Sequence, residues 1–298
     1  MATAYTVVTA SEFICGGRMN TLSDRHYIQY SRTMLLSNIG EAGQLAIMNS
    51  AVVIVGVGGL GHVVAHYLAA AGVQHMLLID HDVVELSNLP RQLLFTAADI
   101  GQAKVKVAKK VLSAAYPEIN IDVLAGKVTA QHFNKLAKQQ MSKTVVFDCT
   151  DNVSARQLIN QMCVEHQLTL VSGAISGYQG QVFCIDFSCS GSDSDPYSDP
   201  GSNSPCGCYR CLYPLDMDMA QNCTQAGVLG PAVGIIASMQ ALVGIQHISN
   251  TFTQYGILHH FNAKDLRWQH ANMTRDPDCE MCHQQALTQH AEQPNDTY

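Results

Sequence analysis

Residues 51–61, AVVIVGVGGLG, constrain the fold of this chain more than any other stretch. The β-branched run at 51–56 has no polar face, so it is expected to be a strand buried on both sides in a parallel sheet. Gly56, Gly58, Gly59 and Gly61 satisfy G-x-G-x-x-G, and residues 60–72 carry helical spacing. Glycines in that pattern allow a tight turn and close approach of a ligand to the backbone, while the first helical turn offers amides to an anion. Residues 75–80, HMLLID, are the next expected strand and end in Asp80, where a carboxylate can hold a ribose. The motif points to a nucleotide and leaves NAD, FAD and ATP open. Its bland alternative is a glycine turn that only packs a helix.

The alternation continues beyond that unit. Residues 102–116 place Val105, Ala108, Val111, Leu112 and Ala115 on one helical face. Strands are expected at 119–126, 144–149, 168–173 and 181–187, and helices after Thr129 and at 153–166. This order predicts an α/β fold: a doubly wound, Rossmann-like sheet continued by a mixed or antiparallel C-terminal half. The expected divisions are an N-terminal extension at 1–25, a nucleotide-binding half at 26–172 and a second half at 173–298. Residues 27–48 have the spacing of one or two short helices, and Met19 is a candidate alternative start. Residues 188–205, SCSGSDSDPYSDPGSNSP, are too polar to offset the entropy of ordering and read as a mobile surface insertion. The apolar stretch at 228–245 approaches the length of a membrane span, but Pro231, Ser238 and Gln240 interrupt it. It reads as a core or dimer helix, followed by a strand at 255–261.

Seventeen basic and 24 acidic residues give a formal charge of −7, which argues against a protein that coats nucleic acid. The N-terminus lacks a basic segment followed by an apolar core, so a cytoplasmic protein is expected. Eleven cysteines, an odd number, include two Cys-x-x-Cys pairs and suggest reduced thiols and metal. Cys208, Cys211, Cys279 and Cys282 match a tetrahedral zinc site of four thiolates with no open position, hence a structural metal. Cys206 is an alternative ligand. Cys223 precedes the long apolar helix, where a thiol can become a nucleophile, although a lone cysteine in such a neighbourhood is more often just buried.

Between Asp80 and the next helix lie Ser87, Asn88, Arg91 and Lys104. Two cations beside a glycine loop suit an enzyme that must neutralise departing pyrophosphate; taken alone, they read more readily as solvated surface charges. Asp151 and Asn152 follow a strand at the edge where such sheets bind ligands. A carboxylate there can hold Mg²⁺ bridging phosphates, or either residue can cap the helix at 153.

Taken in order, these pieces resemble the ThiF/MoeB/HesA branch of the ubiquitin-activating enzyme superfamily, from about residue 30 to 282. The resemblance is carried by YSR at 30–32, VGVGGLG, LSNLPRQ, GQAK, DCTDN, CYRC, NCTQAG and CEMC. LFTAADIG, CYRCLYP and NCTQAGVLGP lean toward ThiF-type members, although Tyr213 stands where those often carry tryptophan. The resemblance implies ATP-dependent adenylation of the C-terminal glycine of a ubiquitin-like sulfur carrier protein, ThiS-like and serving thiamine thiazole synthesis. Activation of the molybdopterin synthase small subunit, as by MoeB, is the alternative within the branch. An NAD-dependent oxidoreductase and a non-catalytic scaffold are alternatives outside it. By motif position Asp80 would hold the ribose, Asn88, Arg91 and Lys104 the phosphates, and Asp151 Mg²⁺, with Ser87 and Asn152 in the same site. Arg32 would reach the nucleotide of the partner subunit in a homodimer, and Cys223 would serve sulfur transfer. The second half would bind carrier and zinc. A sulfurtransferase or cysteine desulfurase is the further partner implied, with neither nucleic acid nor membrane.

Overall fold

The computed structural model describes residues 19–137, 144–189, 206–215 and 227–282. Three short helices, α1 (Asp24–Gln29), α2 (Ser31–Met34) and α3 (Gly40–Met48), precede β1 (Ala51–Val55). Then come α4 (Gly61–Ala71), β2 (His75–Asp80), α5 (Lys104–Ala115), β3 (Asn120–Ala125), α6 (Ala130–Ala137) and β4 (Thr144–Asp148). They are followed by α7 (Val153–Glu165), β5 (Thr169–Ser176), β6 (Gln179–Asp186), α8 (Tyr209–Leu212) and α9 (Gly230–Ile248). A terminal hairpin of β7 (Ile257–Asn262) and β8 (Arg267–Asn272) completes the order.

The eight strands form one sheet in the order β3-β2-β1-β4-β5-β6-β7-β8. Strands β1 to β5 pair in parallel and β5 to β8 antiparallel, so the expected mixed continuation is present. Central β1 explains its own composition. Val52 and Ile54 face a core built with α4, α5 and α9, while Val53 and Val55 face a second core that includes α6 and α7. Side chains alternate across a strand, and helices cover both faces, so every position is apolar.

Helix α9 packs on α4 and across β5 and β6. By length and composition it is the one helix among the described residues that could cross a membrane. Its fully buried Gln240 instead donates to the carbonyls of Asp148 (2.9 Å) and Val171 (3.0 Å), tying β4 to β5. The helix lies so close to the sheet that a Cβ on Gly180 of β6 would come within 2.4 Å of Ile236.

Several boundaries differ from expectation. The strand expected at 168–173 runs to Ser176, and the division drawn between 172 and 173 falls inside it, within one continuous sheet. On α5 Val105, Ala108 and Leu112 are buried as expected, but Ala115 is exposed and Val107 is buried. Residues 19–25 pack on the domain: Met19 exchanges two hydrogen bonds with the Asn49 side chain, and Leu22 is buried. Residues 1–18, most of the insertion expected at 188–205, and Cys223 lie outside the described residues.

Candidate active site

In an open sheet of this order the chain turns outward in opposite directions from β1 and β4, and the crevice above their C-terminal ends is where ligands bind. Here the glycine loop follows β1 and residues 149–152 follow β4, opening onto a cleft of about 1250 Å³. Gly56, Gly58, Gly59, Asp80 and Asn88 line it, together with Arg91, Lys104, Asp151 and Asn152. Gly61, Ser87 and Arg32 do not; Arg32 sits exposed on α2.

The glycines serve different ends. Gly56 has a φ of +87°, and a Cβ on it would lie 2.7 Å from the Cys149 carbonyl. A Cβ on Gly61 would lie 1.8 Å from the Gly56 carbonyl, so that residue lets the helix begin directly against the strand. At Gly58 the nearest atom would be 3.6 Å away, leaving open space over the backbone where an incoming group can approach.

Asp80 holds this loop. Its Oδ2 accepts the Val57 amide at 2.6 Å and its Oδ1 the Asp82 amide at 2.8 Å, and each oxygen keeps a lone pair for a further donor. The two cations are both engaged with their own chain. Lys104, with a side chain only 6% exposed, donates to Asp82 Oδ2 at 2.9 Å. Arg91 donates to the Ser87 carbonyl at 2.8 Å, which closes its turn. Asn88 is buried, and its Oδ1 accepts the Glu85 amide at 3.2 Å. Ser87 Oγ points to Glu85 (3.3 Å) and away from the cleft wall.

After β4 the two readings of Asp151 and Asn152 separate. Asn152 is the N-cap of α7, accepting the Ala155 amide at 2.8 Å. Asp151 is exposed on the cleft wall and makes no hydrogen bond or ion pair among the described residues, so its carboxylate is available to a cation. Beneath them is a cluster that sequence reasoning missed. Buried Arg156 of α7 donates to Asp148 Oδ2 at 3.0 Å and to the Gly173 carbonyl at 2.9 Å, and also to the Thr150 carbonyl. Asp148 further accepts from the Thr150 and Ser172 hydroxyls at 2.7 and 2.8 Å. This pair braces the turn carrying Asp151. Its only sequence signal is an arginine on an otherwise buried helix face. Lys127, in the loop after β3, is a cleft-lining cation that was likewise not singled out.

On the outer side of the cleft stand Tyr213, Gln181, Val228 and His260 from the antiparallel half. The Tyr213 hydroxyl donates to Gln181 Oε1 at 2.7 Å. Tyr213 follows α8, and α8 belongs to the cysteine centre. Cys208, Cys211, Cys279 and Cys282 come together, with Sγ separations of 3.9 Å (208–211), 3.8 Å (208–279) and 3.5 Å (211–282). Zn–S bonds of about 2.3 Å in a tetrahedron require sulfurs about 3.8 Å apart, so the donor set fits zinc. Hydrogen bonds from the Cys208 and Cys211 thiols pull Cys282 down, while contact with Cys211 and Cys282 pushes Cys208 up. Cys206 is not part of this group, and its backbone pairs with that of Thr274. Burial pushes the thiols of Cys149, Cys163 and Cys184 well up, which disfavours their thiolate forms.

Residues 30–281 match the ThiF family. The chain is 36% identical over 261 residues to the sulfur carrier protein ThiS adenylyltransferase of Escherichia coli K12, covering 88% of this chain and 97% of that one. It is 34% identical over 267 residues to the molybdopterin-synthase adenylyltransferase of the same organism, covering 89% and 100%. Among solved structures, the crystal structure of E. coli MccB with ATP superposes with a TM-score of 0.68 at 22% identity, over 85% of this chain and 74% of the other. That last likeness concerns the fold.

Proposed function

Since the chain belongs to the ThiF family, we propose that it is an adenylyltransferase that uses ATP to activate the C-terminal glycine of a ubiquitin-like sulfur carrier as an acyl adenylate. One observation carries the reading. Loop amides, the cations Arg91 and Lys104 and an uncommitted carboxylate converge on a single cleft at the point where β1 and β4 diverge.

The chemistry asks for positioning and charge neutralisation. A carboxylate oxygen of the carrier terminus attacks the α-phosphorus of ATP, the bond from that phosphorus to the β-phosphate oxygen breaks, and pyrophosphate leaves. The attacking group is already an anion, so no base has to remove a proton. The work is to align the groups and to stabilise charge on the leaving phosphates. Gly58 leaves room for the phosphates against the loop amides, Asp80 receives the ribose, and Asn88, Arg91 and Lys104 meet the β- and γ-phosphates. Arg91 and Lys104 now bond to Ser87 and Asp82, and each keeps further N–H donors for phosphate oxygens. Asp151, with Asn152 beside it, offers the hard oxygen ligand that Mg²⁺ takes together with phosphates. Bound there, Mg²⁺ would neutralise phosphate charge.

The outer wall from Tyr213 to His260 suits the carrier tail, in keeping with a carrier- and zinc-binding second half and a nucleotide-binding first half. Around Arg32, α1 and the turn after α2 expose Ile28 (79%), Leu35 (72%) and Leu36 (53%). This apolar surface supports a homodimer in which Arg32 acts on the partner's nucleotide. Reduced thiols in a four-cysteine centre fit a reducing compartment such as the cytoplasm. Cys223 would accept sulfur from a sulfurtransferase or cysteine desulfurase.

A ThiS-like carrier for thiamine thiazole synthesis is the preferred partner. The near-equal identities to the two E. coli enzymes keep a MoaD-like carrier as the second reading. Exchange of labelled pyrophosphate into ATP, measured with each carrier, tests both. Carrier-dependent exchange is expected, faster with the ThiS-like protein. NADH binding without exchange would overturn the reading in favour of an oxidoreductase.

A further inference from the structure

His62 is the second residue of α4 and is only 3% exposed. Its Nδ1 lies 2.7 Å from the Gly58 carbonyl oxygen, and its Nε2 lies 3.1 Å from the Leu93 amide nitrogen. A backbone N–H can only donate, so Nε2 is bare and the ring proton sits on Nδ1, which donates to Gly58. Both ring nitrogens are thereby used, one on the glycine loop and one two residues beyond Arg91. Leu93 gives its turn little apolar anchorage, because its side chain is 80% exposed. Burial holds the imidazole below its ordinary range, in keeping with a neutral ring.

We propose that His62 is a positioning residue of the nucleotide site: its ring fixes the glycine loop against the Arg91 turn, so that loop amides and guanidinium meet the same triphosphate. The inference rests on the ATP-binding reading above and adds a residue that touches neither nucleotide nor carrier. A ring that only filled space could be replaced by any side chain of similar size. A ring acting through its two hydrogen bonds could be replaced only by a group with one donor and one acceptor at similar reach.

The test uses the full chain with three substitutions. His62→Gln offers a donor and an acceptor, His62→Asn reaches only Gly58, and His62→Leu offers neither. Affinity for a non-hydrolysable ATP analogue is measured by calorimetry, and KM for ATP and for carrier by pyrophosphate exchange. Losing both bonds is expected to raise Kd and KM for ATP by about tenfold or more in the Leu variant, since one lost hydrogen bond is already on that scale. The Gln variant is expected to stay close to wild type, the Asn variant to fall between, and KM for the carrier to be unchanged. Wild-type affinity in the Leu variant, or equal weakening in Gln and Leu, would overturn the proposal. If the Leu variant does not fold, the comparison of Asn with Gln decides: weaker binding by Asn supports it and equal binding overturns it. A wild-type chain that fails to bind the analogue would defeat the ATP reading itself, and this proposal with it, before any variant is compared.

Discussion

Gly58 and Gly61 are three residues apart in one motif and do opposite work. A methyl group on Gly61 would collide with the Gly56 carbonyl at 1.8 Å, whereas on Gly58 it would meet nothing closer than 3.6 Å. Gly61→Ala is therefore expected to cost about 3 kcal/mol or more of stability. Gly58→Ala should leave stability within about 1 kcal/mol of wild type yet weaken ATP binding; urea midpoints and calorimetry on both variants check this. Asp151 makes no bond among the described residues that the fold would lose. Asp151→Ala is expected to abolish pyrophosphate exchange with melting temperature and zinc content unchanged, and persisting exchange would refute the Mg²⁺ assignment. At this scale the sequence was informative where chemistry needs a rare pattern. The cleft-lining glycines, Asp80, Arg91, Lys104 and Asp151 all reach one cleft. It was silent about His62, because a histidine on a helical face carries no sign of which two loops will fold over it.

Elements were legible in proportion to their hydrophobic pattern. β1, β2 and β4 are buried on both faces and announced themselves as apolar runs. β8, RWQHAN, went unread: it is an edge strand with all six residues exposed, identified only by its pairing with β7. The buried pair of Asp148 on β4 and Arg156 on α7 was also invisible, since the partners belong to different elements and meet only after docking. Breaking such a pair from one side strands a buried charge. Arg156→Met is thus expected to destabilise the chain by about 3–5 kcal/mol, and adding Asp148→Asn should recover a substantial part. Denaturant titrations of the single and double variants measure the difference, and a double variant no better than the single would contradict this account of α7.

For the molecule as a whole, the cysteine centre joins distant parts of the sequence, with Cys208 and Cys211 on one side and Cys279 and Cys282 on the other. Cys279→Ser is expected to lose one bound zinc and about 4 kcal/mol or more of stability, read by metal analysis and thermal melting; a variant as stable as wild type would exclude a structural metal. Buried His62 and His259 and half-buried His247 are all held below the ordinary imidazole range, chiefly by desolvation. The unfolded chain then binds protons that the folded chain refuses. Their contribution is complete above about pH 6.5 and is lost as pH falls below it, so the urea midpoint should be lower at pH 5.5 than at pH 7.5. By itself the sequence determined the parallel core, the nucleotide loop and the four thiols, because each is written in local spacing or in residue types with few other uses. Only the tertiary structure decided which buried polar groups face one another: His62 with Gly58 and Leu93, Asp148 with Arg156, Gln240 with β4 and β5. A buried polar atom must find a partner wherever packing brings one, and packing is a property of all the elements together.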